Sequence, residues 1–161
     1  MKLVIISDIH DNRLYLEKCR AYCLAHAIEA ILCTGDICDE ETLERLDDFN
    51  IPVYVIRGNG DFFEDSACDS LKHVTCLGRT GEVTLENKKI GLCHEPYYIK
   101  EILPNNYDIL FFGHTHKPWI ETRGSTLVIN PGCLSGHPAP STFAVWDTSQ
   151  PEPELLLTDQ C

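Results

Sequence analysis

Five apolar runs in this chain each break off at a short island of Asp, His, Asn or Gly, and that recurrence restricts its fold more than any other feature. The islands are Asp8-Ile9-His10, Gly35-Asp36, Gly58-Asn59, His94 and Gly113-His114-Thr115-His116. Short continuous apolar runs bounded by turn residues read as buried strands. Between the first of them lie helical stripes: Leu16, Cys19, Cys23 and Ala27 over residues 13 to 27, then Leu43, Leu46 and Phe49 over Glu40 to Phe49. With strands at Lys2 to Ser7, Ala30 to Thr34 and Val53 to Arg57, the β-then-α unit repeats, which predicts a layered α/β fold. The second half is expected to be richer in antiparallel pairs. Strands are predicted at Val74 to Leu77, Glu82 to Leu85 and Lys89 to His94, the last two joined by a tight turn near Glu86-Asn87-Lys88. A short helix near Tyr97 to Leu103 precedes strands at Ile109 to Phe112, Trp119 to Thr122, Thr126 to Ile129 and Thr142 to Trp146. The tail after Pro151-Glu152-Pro153 is expected to form an edge strand at most.

The chain has 161 residues, with no internal repeat, low-complexity stretch or linker, and a single domain over 1–161 is expected. A domain of that size buries about 70% of its unfolded surface and folds without staples. Lys plus Arg number 13 against 25 Asp plus Glu, a formal charge of −12, and Lys88-Lys89 is the only adjacent basic pair. Such a surface repels polyanions, so nucleic-acid binding is not expected. The N-terminus reaches Asp8 after too few apolar residues for a signal peptide or a membrane span, which predicts a cytoplasmic protein with no membrane partner. Nine cysteines, an odd number without a secretion signal, are expected to be reduced thiols. Cys19 and Cys23, four apart on a predicted helix, read as core packing rather than half of a metal site.

Each island falls just past the C-terminal end of a predicted strand, the rim where open α/β sheets bind ligands. Side chains two apart in extended backbone project to one side, so Asp8 with His10, and His114 with His116, are expected to point inward as pairs. The Gly before Asp36, Asn59 and His114 allows unusual backbone angles and close approach. Asp8, His10, Asp36, Asn59, His94, His114 and His116 make an oxygen and nitrogen donor set without thiolate. Such a set suits Mn, Fe, Zn, Ni or Co better than Ca or Mg, and it is too large for one such ion but right for two that share a ligand. Two divalent cations against two carboxylates leave a positive surplus, which attracts phosphate and polarises a bridging water towards hydroxide.

The ordered signature D-x-H, GD, GN, H, GH-x-H, complete from residue 8 to residue 116, resembles that of the calcineurin-like metallophosphoesterase superfamily. Within it the chain is most similar to the small, cap-less phosphodiesterase branch of archaea and bacteria, whose NPG turn Asn130-Pro131-Gly132 also resembles. The resemblance implies a four-layer α/β sandwich of two mixed β-sheets flanked by helices. It implies two divalent metal ions, manganese foremost with nickel, iron, zinc or cobalt as alternatives. By position, Asp8, His10 and His116 would hold one ion, Asn59, His94 and His114 the other, with Asp36 between them. The implied activity is hydrolysis of small phosphodiesters by a metal-bridging hydroxide attacking phosphorus. A non-catalytic scaffold like the retromer subunit of this fold is the alternative, and a phosphomonoesterase or nuclease of the superfamily a third; dimers or larger homo-oligomers are implied as well.

Two positions depart from the family pattern. Nuclease and protein-phosphatase relatives carry a His after the metal-binding Asn to protonate the leaving group, and the small branch commonly has Cys there. Here Gly60 stands in that place, followed by the matching Asp61. The turn also reads Asn130-Pro131-Gly132-Cys133, which is expected to bring a thiol near the site. Arg57 and His137 are further candidates for substrate contact, alongside Asn59 and His94, and Phe62, Phe63 and Asp65 for a selective rim in the irregular stretch 58 to 72.

Overall fold

The computed structural model describes residues 1–161. Eleven strands form two sheets. The first sheet takes β1 (Lys2–Ile6), β2 (Ala30–Cys33), β3 (Val53–Val55), β4 (Val74–Cys76), β10 (Thr142–Asp147) and β11 (Glu154–Leu157), in the order β11-β10-β1-β2-β3-β4. β1 through β4 pair in parallel, while β10 and β11 join antiparallel, so this sheet is mixed. The second takes β5 (Thr80–Leu85), β6 (Lys88–Cys93), β7 (Ile109–Phe111), β8 (Trp119–Arg123) and β9 (Thr126–Asn130), in the order β5-β6-β7-β9-β8. Its centre, β6-β7-β9, is parallel and its two flanks are antiparallel hairpins, so the expected antiparallel excess holds only at the edges.

Period-two alternation decides which core each residue enters. Along β1, Leu3 and Ile5 face the space between the sheets with Leu32, Ile90, Phe111 and Trp146. Val4 and Ile6 face the other way, onto Leu16, Cys19 and Cys23 of α1 (Arg13–Ala25) and Leu43 and Leu46 of α2 (Glu40–Asp47). A third, smaller core lies outside the second sheet, where Leu110, Phe112 and Val128 meet Ile99 and Ile102 of the short α3 (Ile99–Ile102). The result is helices, sheet, sheet and helix: the expected four layers. Cys19 and Cys23 are core residues, as their helical spacing suggested.

The expected helix near Tyr97 to Leu103 is fragmented. Only Ile99–Ile102 is α-helical, between short 3-10 turns at Pro96–Tyr98 and Leu103–Asn105, each with a proline in its first two residues. The tight turn between β5 and β6 is a two-residue loop with Glu86 and Asn87 both at positive φ, the conformation that matches strand twist. The tail does form an edge strand, β11.

One expectation about the thiols fails. Cys68 and Cys76 are joined by a disulfide, and the other seven cysteines are free. A 3-10 segment at Asp65–Ser70 folds back along β4 and brings the two Cα atoms to 5.9 Å, within bridging range. Counting cysteines could not reveal that proximity.

Candidate metal centre

β1, β2 and β3 end on the same side of the first sheet, and β6, β7 and β9 on the same side of the second, because each set is parallel. The loops after these strands therefore converge. Backbone hydrogen bonds fasten them: Asp8 N–H to Gly35 O and His10 N–H to Asp36 O, each 2.9 Å, Ser135 N–H to Asp8 O at 3.0 Å, and Gly113 N–H to His94 O at 3.0 Å. All seven predicted donors lie in these loops. Asp8, Asp36 and His94 form a buried floor, His116 is half-buried, and His10, Asn59 and His114 stand at the exposed rim.

The expectation that the two D/H-x-H pairs are extended is wrong. Asp8, His10, Asp36, His114 and His116 all have positive φ, between 45° and 69°. Asp and His tolerate the left-handed region better than most residues, yet each such residue still costs on the order of 1–3 kcal/mol. Tight left-handed turns, rather than pleat alternation, aim these side chains into one bowl. Close approach explains two of the glycines: a Cβ at Gly58 or Gly113 would collide with Asp36 or Ser7 respectively.

Two groups of donor atoms come within 4.8 Å of one another: Asp8, His10 and His116, and Asp8, Asp36 and His94. The first matches the triple that the sequence implied; the second brings Asp8 as well as Asp36 to the centre. Asn59 and His114 meet each other, Oδ1 to Nδ1 at 2.8 Å. His94 and His116 each donate an Nδ1 proton to a backbone carbonyl, Thr34 O at 2.7 Å and His137 O at 3.0 Å. A carbonyl only accepts, so Nε2 of both rings carries a free lone pair in the neutral form. His116 Nε2 lies 3.2 Å from Asp8 Oδ1. His94 Nε2 is buried without a hydrogen bond, 3.3 Å from Asp36 Oδ1.

The charges respond to this crowding. Burial raises the Asp8 carboxyl above its ordinary range, outweighing the pull of His94 and Ser7. Burial also works upward on Asp36, but His94, the Gly60 N–H and His10 overcome it and leave this carboxyl lowered. For His94, burial favours the neutral ring, yet Asp36 and Asp8 prevail and its pKa is raised. An orphaned imidazole nitrogen aimed at one carboxylate, with a second carboxylate beside it, is the arrangement a divalent cation would complete.

The surrounding residues sort differently from expectation. Arg57 does not face the bowl: its guanidinium bonds Glu64 and the Phe63 carbonyl, and lies 3.8 Å from Asp65. The rim loop's own acids hold it there. Phe63 is buried and only Phe62 is exposed, so the aromatic rim has one member. His137 lines a polar cleft of about 470 Å³ with His10, Asn12, His116, Ser135 and Pro138, and its carbonyl anchors His116. Cys133 is buried, with Sγ 3.9 Å from that same carbonyl, so it touches the support of the bowl rather than its interior.

Three residues matter more than the sequence suggested. Asp61 accepts backbone N–H groups of Asp36, Ile37, Cys38 and Gly58 at 2.6–3.1 Å, holding two of the converging loops together. Its carboxyl is pushed up by burial, although those N–H groups pull it back. Asn130 donates to Gly113 O and Thr115 Oγ1 and accepts from Gly132 N–H, which shapes the loop carrying His114 and His116. Cys38 lies against His10; burial and the acids Asp11, Asp61 and Asp36 push its thiol up to about 12.

Residues 1–151 match the model of the "Calcineurin-like phosphoesterase superfamily domain". The chain belongs to that superfamily. It is 30% identical over 158 residues to the phosphodiesterase YfcE of Escherichia coli K12, covering 86% of this chain and 84% of the relative. It is 26% identical over 171 residues to vacuolar protein sorting-associated protein 29 of Schizosaccharomyces pombe, covering 99% and 84%. The solved structure of an archaeal phosphodiesterase superposes with a TM-score of 0.87 at 23% identity, over 98% of this chain and 99% of that one. These likenesses place this calcineurin-like phosphoesterase in the small, cap-less bacterial and archaeal branch and match its two-sheet fold. No helix is long and apolar enough to cross a membrane.

Proposed function

We propose that this phosphoesterase is a cytoplasmic, divalent-metal-dependent phosphodiesterase acting on small diesters. The observation that carries the reading is His94: its Nδ1 is committed to Thr34 O, and its buried Nε2 is left unpartnered beside Asp36. Asp8, His10 and His116 would hold one ion, Asn59, His94 and His114 the second, and Asp36 would serve both. Manganese is the proposed native ion, with nickel, iron, zinc or cobalt able to use the same oxygen and nitrogen donors. When bound, the pair supplies positive charge to draw in a phosphate and acidifies a water to make the nucleophile.

The chain's own part is orientation. Thr34 O and His137 O fix two imidazoles so that their lone pairs face the carboxylates. The Gly60 N–H donates to Asp36 Oδ1 at 2.7 Å and holds that carboxylate in place. The cleft beside His10 and His116 contains neither Lys nor Arg, and the whole chain carries −12, which favours a small diester over a nucleic acid.

The position that carries the acid in nuclease relatives offers no proton to the leaving group here. Gly60 has no side chain, and Asp61 is occupied by four backbone N–H groups. General acid catalysis typically contributes 10²- to 10⁴-fold, so a series of diesters differing only in leaving-group pKa should lose rate steeply as that pKa rises. Aryl diesters should react well and alkyl diesters poorly. A flat dependence under metal saturation, with chemistry limiting, would mean that the chain contains a proton donor, with His137 the first suspect.

A further inference from the structure

We infer that Cys38 is a positioning residue for His10: its sulfur accepts the imidazole Nδ1 proton and thereby presents Nε2 as the bare nitrogen towards Asp8 and Asp36. Sγ lies 3.5 Å from Nδ1, a normal length for a bond to sulfur. Nothing else in the structure accepts from that nitrogen, whereas His94 and His116 each have a backbone carbonyl for the same purpose. The backbone that carries the thiol is held on both sides. Cys38 N–H donates to Asp61 Oδ1 at 2.7 Å and its carbonyl accepts from Phe62 N–H at 3.0 Å, so only the side-chain rotor remains free.

A competing arrangement makes this contact consequential. His10 Nε2 lies 3.2 Å from His116 Nε2, 3.6 Å from Asp36 Oδ2 and 3.9 Å from Asp8 Oδ1. The lone pair of His116 Nε2 is free, because its Nδ1 proton is given to His137 O. If the His10 proton sat on Nε2, it would bond His116 and close the triple of Asp8, His10 and His116 against a cation. An acceptor at Nδ1 weighs against that tautomer. Sulfur is a weak acceptor, so Cys38 biases the balance less than a carboxylate would, leaving the His10 donor softer and this half of the bowl easier to empty.

The inference rests on the metal reading above only for its effect on affinity; the tautomer is a property of the metal-free chain. The test uses two readouts at pH 8. Nitrogen-15 spectra of the metal-free protein give the His10 tautomer ratio, and Mn²⁺ titration gives affinity, for the natural chain, Cys38→Ala and Cys38→Asn. Asn tolerates the positive φ of 85° at this position and restores an acceptor oxygen. The expected result is a populated Nδ1–H form that falls in Cys38→Ala, with a loss of Mn²⁺ affinity of about tenfold, the low end for an outer partner of a ligand. Cys38→Asn should recover both. Either readout unchanged in Cys38→Ala overturns the inference, and so does Nε2–H as the sole tautomer of the natural chain, which requires no variant. If Mn²⁺ fails to bind the natural chain, the proposed function falls while the tautomer ratio still decides the role of Cys38.

Discussion

Asp36 is the side chain on which the bowl turns, since its carboxylate lies within 3.6 Å of both His94 and His10 and accepts the Gly60 N–H. Asp36→Asn keeps the shape and removes the charge. Outer partners of metal ligands are worth 10- to 100-fold, so loss of a shared ligand should exceed about 100-fold in turnover and weaken both ions together. Full metal content with near-normal turnover in this variant would take Asp36 out of its shared position. Gly60 gives a second test at this scale. A Cβ there would sit 3.1–3.2 Å from the Asp36 carboxyl group, while the backbone itself is not in the left-handed region. Gly60→Ala should therefore fold but push on Asp36, lowering turnover by about tenfold; an unchanged kcat would show that the carboxylate has room to move. Which side chains gather in the bowl was legible in the sequence, because Asp, His and Asn stand at strand ends in a fixed order. Their backbone conformation was not, since left-handed turns arise from the loops' hydrogen bonds to one another. The partners of Arg57 were hidden for a related reason: adjacency to Gly58 says nothing of Glu64 and Asp65 folding back onto it.

At the scale of elements, the strands and their layering followed from apolar runs and period-two alternation, and the helical stripes of α1 and α2 from their spacing. What escaped was the anchoring of loops by single side chains. Asp61 is a half-buried carboxylate binding four backbone N–H groups that belong to the loops after β2 and β3. Asp61→Ala strands those donors, and at the usual penalty for unsatisfied groups the loss should be about 3 kcal/mol. For a domain of this size that is a fall in Tm of about 6–12 °C. Asp61→Asn, which keeps one acceptor oxygen, should lose less. Calorimetry that found no change in Tm for Asp61→Ala would mean that water replaces the carboxylate at no cost. The Cys68–Cys76 disulfide belongs to this scale too, because it depends on how a 3-10 segment meets β4 and on nothing visible in cysteine spacing.

For the whole molecule, the bowl is a place where folding is opposed by the arrangement that the proposed metal site requires. Two buried carboxylates share it, and five of its seven donors hold strained backbone. A cation that binds only the folded chain relieves the repulsion and adds about 2.7 kcal/mol per site at a hundredfold excess over Kd. Chelation should thus lower Tm by about 5–10 °C for each site emptied, and Mn²⁺ should restore it; a melting temperature indifferent to metal would rule out a site confined to the folded state. The central claim is that two ions together make this chain a phosphodiesterase, and its most direct test is turnover of an aryl phosphodiester by metal-stripped protein as Mn²⁺ is added in known ratio to the chain. The account predicts no activity without metal and a rise that ends at about two ions per chain. Full activity before any metal is added, or none at any ratio, would contradict it.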